Sequence, residues 1–434
     1  MLTVDEQVYG LSLIWSEAKY NFAFWNSRKK IDWNQAYYDT LKSVLKPMTI
    51  IDYYLVLSKF ISILNDGHTD IYFPKDSIQK LPISISYIDK RHFITNTAKD
   101  CKIPLYCELL ALNGQEFNKY LSQKIKAYCW NSSNYGSISR AYELIPYIEK
   151  TDNFILSTSV GKYTLNKTSE KIIQWNNINT LKSSEVLLNE LFVSKSLTIH
   201  ITSDNIAIIS IPTFNDFRIP RNFYNQLDKI KKCRGFIIDI RNNRGGNSNN
   251  ANAITQAFID GKFTIGKVRH PIYIGAYKAW GSEMDFAAAD LSDPWCKKVY
   301  DICTNNYFEE ENVWGSYDAC PLLLNQPLVI LINNKTGSTA ENFLISFIVH
   351  QRAILVGENS SGSSGNPLCI NLPGGGYARI CTRNFTYPDN TEFINIGIKP
   401  HVYASLSIDD IINAHDSVLD NGLKVLRNQI KKRK

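Results

Sequence analysis

One stretch constrains this chain more than any other: Leu328 to Phe347, LVILINNKTGSTAENFLISF. LVILI is a short apolar run rich in β-branched residues and reads as a buried strand, while ENFLISFIV continues with apolar residues at helical spacing. A strand that turns tightly into a helix lifts a side chain out of the sheet edge. It also points the first N–H groups of the helix at whatever lies beside it. Ser338 stands in that turn. It can be a nucleophile there, or it can be the N-cap of the helix, with Glu341 completing a capping box.

A second stretch bears on the choice. Gly235 to Gly246, GFIIDIRNNRGG, is another buried strand that empties into a turn with paired glycines, and glycines let backbone N–H groups approach a ligand closely. Together the two stretches resemble the S41 serine peptidases, a family of tail-specific processing proteases, tricorn-type proteases and retinoid-binding relatives. The family's strand ends in D-x-R-x-N-x-G-G, matched by Asp239, Arg241, Asn243, Gly245 and Gly246. Its nucleophile turn is S-A-A-E-like, here Ser338, Thr339, Ala340 and Glu341. The resemblance implies an α/β fold with a crotonase/ClpP-like core, a twisted parallel-mixed sheet and flanking helices. It also implies a helical N-terminal cap, a degenerate PDZ-like segment and peptide-bond hydrolysis.

The 434 residues exceed the size at which one core usually keeps growing, so two or three units are expected, and 44% hydrophobic with 21% charged is ordinary globular composition. The balance of 48 Lys+Arg against 41 Asp+Glu is scattered except at the C-terminal KKRK, read as a solvated tail. No basic patch interleaved with aromatics supports nucleic-acid binding. Nine cysteines without a C-x-x-C pair form neither a disulfide framework nor a zinc site, so most are expected as buried thiols, and no cofactor or metal is implied. The chain opens without a signal-peptide pattern and has no apolar run long enough to span a bilayer. Relatives of the type are often exported to the periplasm or beyond, and export is the expectation if a signal was removed. The cytoplasm is the alternative.

In chain order, 1–73 reads as a helical cap with aromatic stripes, ending in Asn65, Asp66, Gly67, His68 and Thr69. A histidine on a sharp turn is ordinarily a surface residue, but D-G-H-T after an aromatic helical segment resembles the tricorn-like and retinoid-binding branches, whose general base occupies this position. Residues 74–125 read as the PDZ-like β-rich segment, with an Asn113-Gly114 turn between strand and helix. Residues 126–195 are irregular, with Tyr147 and Ile148, Phe154 to Leu156 and Tyr163 to Leu165 as candidate strand starts. Residues 196–425 alternate strand and helix, which predicts a parallel or mixed sheet. Within them 262–325, with Trp280, Trp295, Trp314, Glu309, Glu310, Glu311 and Asp318, reads as an insertion that roofs the site. The loop Glu358 to Pro367 is a clamp or a linker, and 426–434 is the basic tail.

A serine hydroxyl needs a base, and the tetrahedral oxyanion needs N–H donors already in place. The resemblance implies attack by Ser338, with His68 as base and the backbone N–H of Thr339 and of Gly245 or Gly246 as donors. The processing branch carries a lysine base in a V-G-E-x-x-x-G-K loop. Here that loop runs Val356, Gly357, Glu358, Asn359, Ser360, Ser361, Gly362 and then Ser363, so the lysine is missing. Lys335 is the remaining lysine candidate, read as a solvated charge with nothing to depress its pKa. With His68 as base, activity should rise with pH through roughly 6 to 7.

A carboxylate that orients the imidazole is expected from Asp66, Asp70, Glu341, Glu358 or Glu392. Glu392, just before Gly397, Ile398, Lys399 and Pro400, resembles the D-G-x-E-F…G-I-x-P-D segment that carries the acid in the tricorn-like branch. The function implied is a serine peptidase acting on a peptide or unfolded protein. The competing readings are a binding protein that uses the cleft for an apolar ligand or peptide, and acyl transfer by a crotonase-like enzyme.

Overall fold

In the computed structural model, which describes residues 2–129, 133–178, 180–184, 188–304, 307–314 and 323–433, the apolar runs of both motifs lie in the middle of a seven-stranded sheet. Its strands follow the order Leu188–Val193, Thr198–Thr202, Ile206–Ser210, Gly235–Asp239, Leu328–Ile332, Ile354–Gly357 and Val402–Tyr403. The first three pair antiparallel, and from Ile206–Ser210 onward every pairing is parallel. This is the mixed α/β arrangement that the alternating pattern predicts.

Every residue of Leu328–Ile332 is buried, as expected of a parallel strand covered on both faces. Successive side chains point to opposite faces. Ile237, Val329 and Leu331 pack with Leu423 and Leu426 of the Ser417–Lys432 helix. Phe236, Ile238, Ile330 and Ile332 join the larger core, with Phe343 and Phe347 of the Thr339–Val349 helix. Each fully buried leucine of this kind contributes about 1.5–3 kcal/mol.

Three helices open the chain where the sequence reads as a helical cap: Val4–Asn21, Trp33–Val44 and Ile50–Ile61. Thr3, Asp32 and Thr49 cap the three N-termini by accepting backbone N–H bonds. Asn65, at φ 53, ends the helical segment in a left-handed turn. The chain then enters the Asp70–Tyr72 strand, which pairs antiparallel with Tyr377–Cys381, Asp70 opposite Arg379. Tyr54 fixes the same hairpin: its hydroxyl donates to Pro373 O and accepts from Gly376 N–H. The cap is thereby tied to the distant end of the chain, and His68 sits at the tie.

Several expected boundaries move. The strand Leu109–Leu112 turns at Asn113 and Gly114, both at positive φ, as the Asn-Gly pair requires. It also pairs with Asn153–Thr158, so the small four-stranded sheet runs through the expected break at 125. Tyr147 and Ile148 end a helix, Asn134–Ile148, rather than starting a strand. The large sheet begins at Leu188, before 196, because its edge strand is too polar and exposed to alternate. The expected basic tail is the end of the Ser417–Lys432 helix: Leu426 and Ile430 are buried, and Lys431 and Lys432 complement the C-terminal dipole.

The insertion folds as an antiparallel ribbon, Phe263–Pro271 with Tyr307–Trp314, carrying two helices. Asp318 lies outside the described residues. The described cysteines are unpaired, and only half of them are fully buried, with Cys369 exposed.

Candidate active site

Ser338 has φ 57 and ψ −129, a conformation costly for a residue with a Cβ. Its surroundings over-determine it. Ser338 N–H donates to Ser363 O at 2.7 Å, Gly337 N–H to Asn243 O at 3.0 Å, and Thr336 Oγ1 to Ile240 O at 3.0 Å. A Cβ built on Gly245 would lie 2.7 Å from Ser338 Cβ, so only glycine lets the two motif turns meet this closely. The strained strand-to-helix turn is the geometry that exposes a nucleophile.

Glu341 does reach back to Ser338 N–H, at 3.3 Å, as a cap residue would. It does more than cap. Fully buried, it also accepts from Ser360 Oγ, from Gly362 N–H at 2.7 Å and from Ser363 N–H at 2.9 Å. Burial pushes its carboxyl up to about 7, against these donors, which favour the charge. The Gly/Ser loop is therefore neither free nor a linker. Glu341 pins it to the Ser338 turn, and Ser361 N–H adds a bond to Thr336 O at 2.8 Å.

His68 is positioned by Asp66, whose buried carboxylate accepts from His68 N–H at 3.0 Å and from Thr69 Oγ1 at 2.7 Å. Thr69 Oγ1 in turn accepts from Cys381 N–H at 3.0 Å. His68 Nδ1 meets a hydroxyl rather than a carboxylate: Ser363 Oγ, at 2.6 Å. Burial, aided by the Arg379 charge, pushes the imidazole down to about 3, well below the 6 to 7 expected from the sequence. His68 and Ser338 line one cleft of about 590 Å³, together with Gly246 and Thr339.

The motif strand explains itself residue by residue. Asn243 accepts from Gly245 N–H at 2.8 Å and donates to Ile211 O at 2.9 Å, holding the glycine turn. Gly245 N–H is thereby occupied, whereas among the described residues the N–H groups of Gly246 and Thr339 have no acceptor. Arg241 bridges Asp239 and Asp416, with its Nη1 2.7 Å from Asp416 Oδ1, and so locks the strand end to the N-cap of the C-terminal helix.

Of the remaining sequence candidates, Glu392 is exposed in the turn after the Asn384–Thr386 strand and does not line the cleft. Glu358 is half-buried and accepts from Asn334 Nδ2. Asp70 is ion-paired with Arg140 at 2.8 Å. Lys335 departs from the sequence reading, because burial and the neighbouring Arg244 charge lower its pKa. The 262–325 insertion contributes no described residue to the cleft. The Asn134–Ile148 helix supplies Tyr135, Ser139, Arg140 and Glu143 instead. Sequence reasoning missed Ser363, although the loop's missing lysine points at that position.

Residues 205–404 match the model of peptidase family S41. The carboxy-terminal-processing protease of Bartonella bacilliformis is 24% identical over 219 residues, 50% of this chain and 42% of that protein, so the match spans less than half the length of this curated relative. Among solved structures, mature CPAF superposes with a TM-score of 0.73 at 15% identity, covering 99% of this chain and 98% of that one. The tricorn protease superposes with a TM-score of 0.50 at 15% identity, covering 99% of this chain and 37% of that one. These two are likenesses of fold. Residues 205–404, which carry both motif turns, are thus similar in sequence to peptidase family S41, and the chain as a whole shares its fold with mature CPAF.

Proposed function

We propose that the protein is a serine peptidase in which Ser338 attacks the peptide carbonyl and His68 is the general base. The observation that carries this reading is the strained Ser338 turn, set in one cleft with His68 and with the N–H groups of Gly246 and Thr339. When His68 Nδ1–H donates to Ser363 Oγ, Nε2 is left as the basic nitrogen. Ser338 Oγ bonds to the carbonyl carbon as its proton passes to Nε2, and the carbonyl oxygen, now negative, accepts from the two N–H groups. The C–N bond breaks as the imidazolium gives that proton to the leaving amine. Water then repeats the sequence on the acyl-enzyme.

Ser363 takes the orienting role that the sequence assigns to Glu392, since it is the group in contact with Nδ1. Gly246 is preferred to Gly245 as donor because Gly245 N–H already bonds Asn243. The parallel strands beneath the nucleophile support a crotonase-like core, and the four-stranded sheet is the candidate PDZ-like unit. The resemblance favours an exported protein, and among the described residues no helix is long and apolar enough to cross a membrane. A binding protein for an apolar ligand has less support, because the cleft is lined mainly by polar and charged side chains.

The test is reaction with a serine-directed fluorophosphonate followed by mapping of the modified residue. Label at Ser338, and loss of peptide cleavage in Ser338→Ala with the fold kept, is the expected result. Label at another serine, or cleavage retained in Ser338→Ala, overturns the assignment.

A further inference from the structure

The cleft has an uneven charge balance. Five cationic side chains line it, Arg140, Arg244, Lys335, Arg379 and Arg383, against two carboxylates, Asp70 and Glu143. Both carboxylates are already committed to Arg140, each at 2.8 Å. Among the described residues none of the other four cations has a carboxylate within ion-pair distance. Arg379 spends Nη1 on Tyr72 Oη at 3.2 Å and keeps a buried Nε without an acceptor. Arg244 and Lys335 lie on the two motif turns beside Ser338. Arg379 lies on the strand paired with the one that follows His68, with Arg383 just beyond its end.

Positive charge thus stands on both the nucleophile side and the base side. Held this way the cations are a cost: on top of burial, Arg244 lowers Lys335 against the opposing charge of Glu358, and Arg379 lowers His68. An anion in the cleft would relieve both repulsions and satisfy the buried Nε, and a cleft lined by one sign of charge attracts the other.

On the peptidase reading, we infer that the cleft selects peptides that present a carboxylate beside the scissile bond, with Arg244, Lys335, Arg379 and Arg383 as the groups that receive it. The carboxylate has two sources, an Asp or Glu side chain or the free C-terminus of a short peptide, and both offer the paired oxygens that guanidinium groups bind best. Selection acts through binding, so it is readable apart from turnover.

The experiment measures binding of fluorescent peptides to full-length Ser338→Ala, and cleavage of the same peptides by the parent protein. One peptide frame is made with Glu or Gln at positions flanking the cleavage site, each with a free or an amidated C-terminus. A carboxylate is expected to tighten binding about tenfold, the scale of one hydrogen bond between charged groups. The gap should narrow as salt rises and shrink in Arg244→Gln/Arg383→Gln. A gain that follows Glu assigns the site to a side chain, and one that follows the free C-terminus assigns it to a chain end. Equal binding of all four peptides, or a gap indifferent to both salt and the double substitution, overturns the inference. Equal binding of neutral and acidic peptides together with cleavage by the parent would leave the peptidase reading standing while this one falls, and absence of cleavage with the binding gap intact would count against the peptidase reading alone.

Discussion

His68 Nδ1 lies 2.6 Å from Ser363 Oγ, and the backbone oxygen of that same Ser363 holds Ser338 N–H at 2.7 Å. One residue therefore grips both His68 and the Ser338 turn, and Glu341 holds its N–H from behind.

Removing the hydroxyl should uncouple the base without moving the turn. Ser363→Ala is expected to lower kcat by about tenfold to a hundredfold, less than the loss of a positioned acid–base group itself, with KM little changed. Ser363→Thr should restore most of it. Steady-state kinetics of the two variants beside Glu392→Gln check this. Parental turnover in Ser363→Ala with a large loss in Glu392→Gln would return the orienting role to the glutamate.

With the imidazole pushed down to about 3, the base is already neutral at pH 5, so no His68 limb should cross the range from 6 to 7. The site group that titrates there is Glu341, at about 7. A limb near neutrality should therefore vanish in Glu341→Gln, and a limb that survives in that variant would restore an ordinary histidine. Stability follows with opposite signs. His68 is lowered, so its contribution is complete above about 6.5 and is lost as pH falls toward 3, where the unfolded chain binds the extra proton. Glu341 is raised, so its contribution is complete below about 4.5 and is lost as pH rises through 7. Melting curves of the parent and Glu341→Gln between pH 5 and 8 should diverge with that slope.

Strain at Ser338 should be measurable as stability. A Cβ at φ 57 and ψ −129 costs of order 1–3 kcal/mol, and glycine escapes it. Ser338→Gly should unfold at higher denaturant than Ser338→Ala, although both are inactive. Equal midpoints would mean that the turn is relaxed in solution.

Arg241, in the signature strand, is expected to act on stability more than on chemistry. Its ion pair with Asp416 is largely buried, and breaking such a pair from one side costs about 3–5 kcal/mol. Arg241→Ala should lower the unfolding midpoint strongly, while its remaining folded fraction still reacts with the serine probe. Parental stability would refute the structural role.

The apolar runs LVILI and GFIIDI, the paired glycines and the serine before a helix were legible because each is local. Strand burial follows from composition, turn shape from glycine, and a strand-to-helix turn from the abrupt change of period. His68 was singled out only through resemblance, since nothing in its own tetrapeptide says which distant strand it will meet. That meeting depends on the pairing of Asp70–Tyr72 with Tyr377–Cys381, a register set by side chains some three hundred residues apart. Tertiary contacts decided three further points. They made Glu341 a buried anchor as well as a cap, gave Nδ1 of His68 a serine instead of Glu392, and filled one cleft with cations scattered along the sequence. Tertiary hydrogen-bond partners and the burial of polar side chains are properties of packing, and local sequence carries neither.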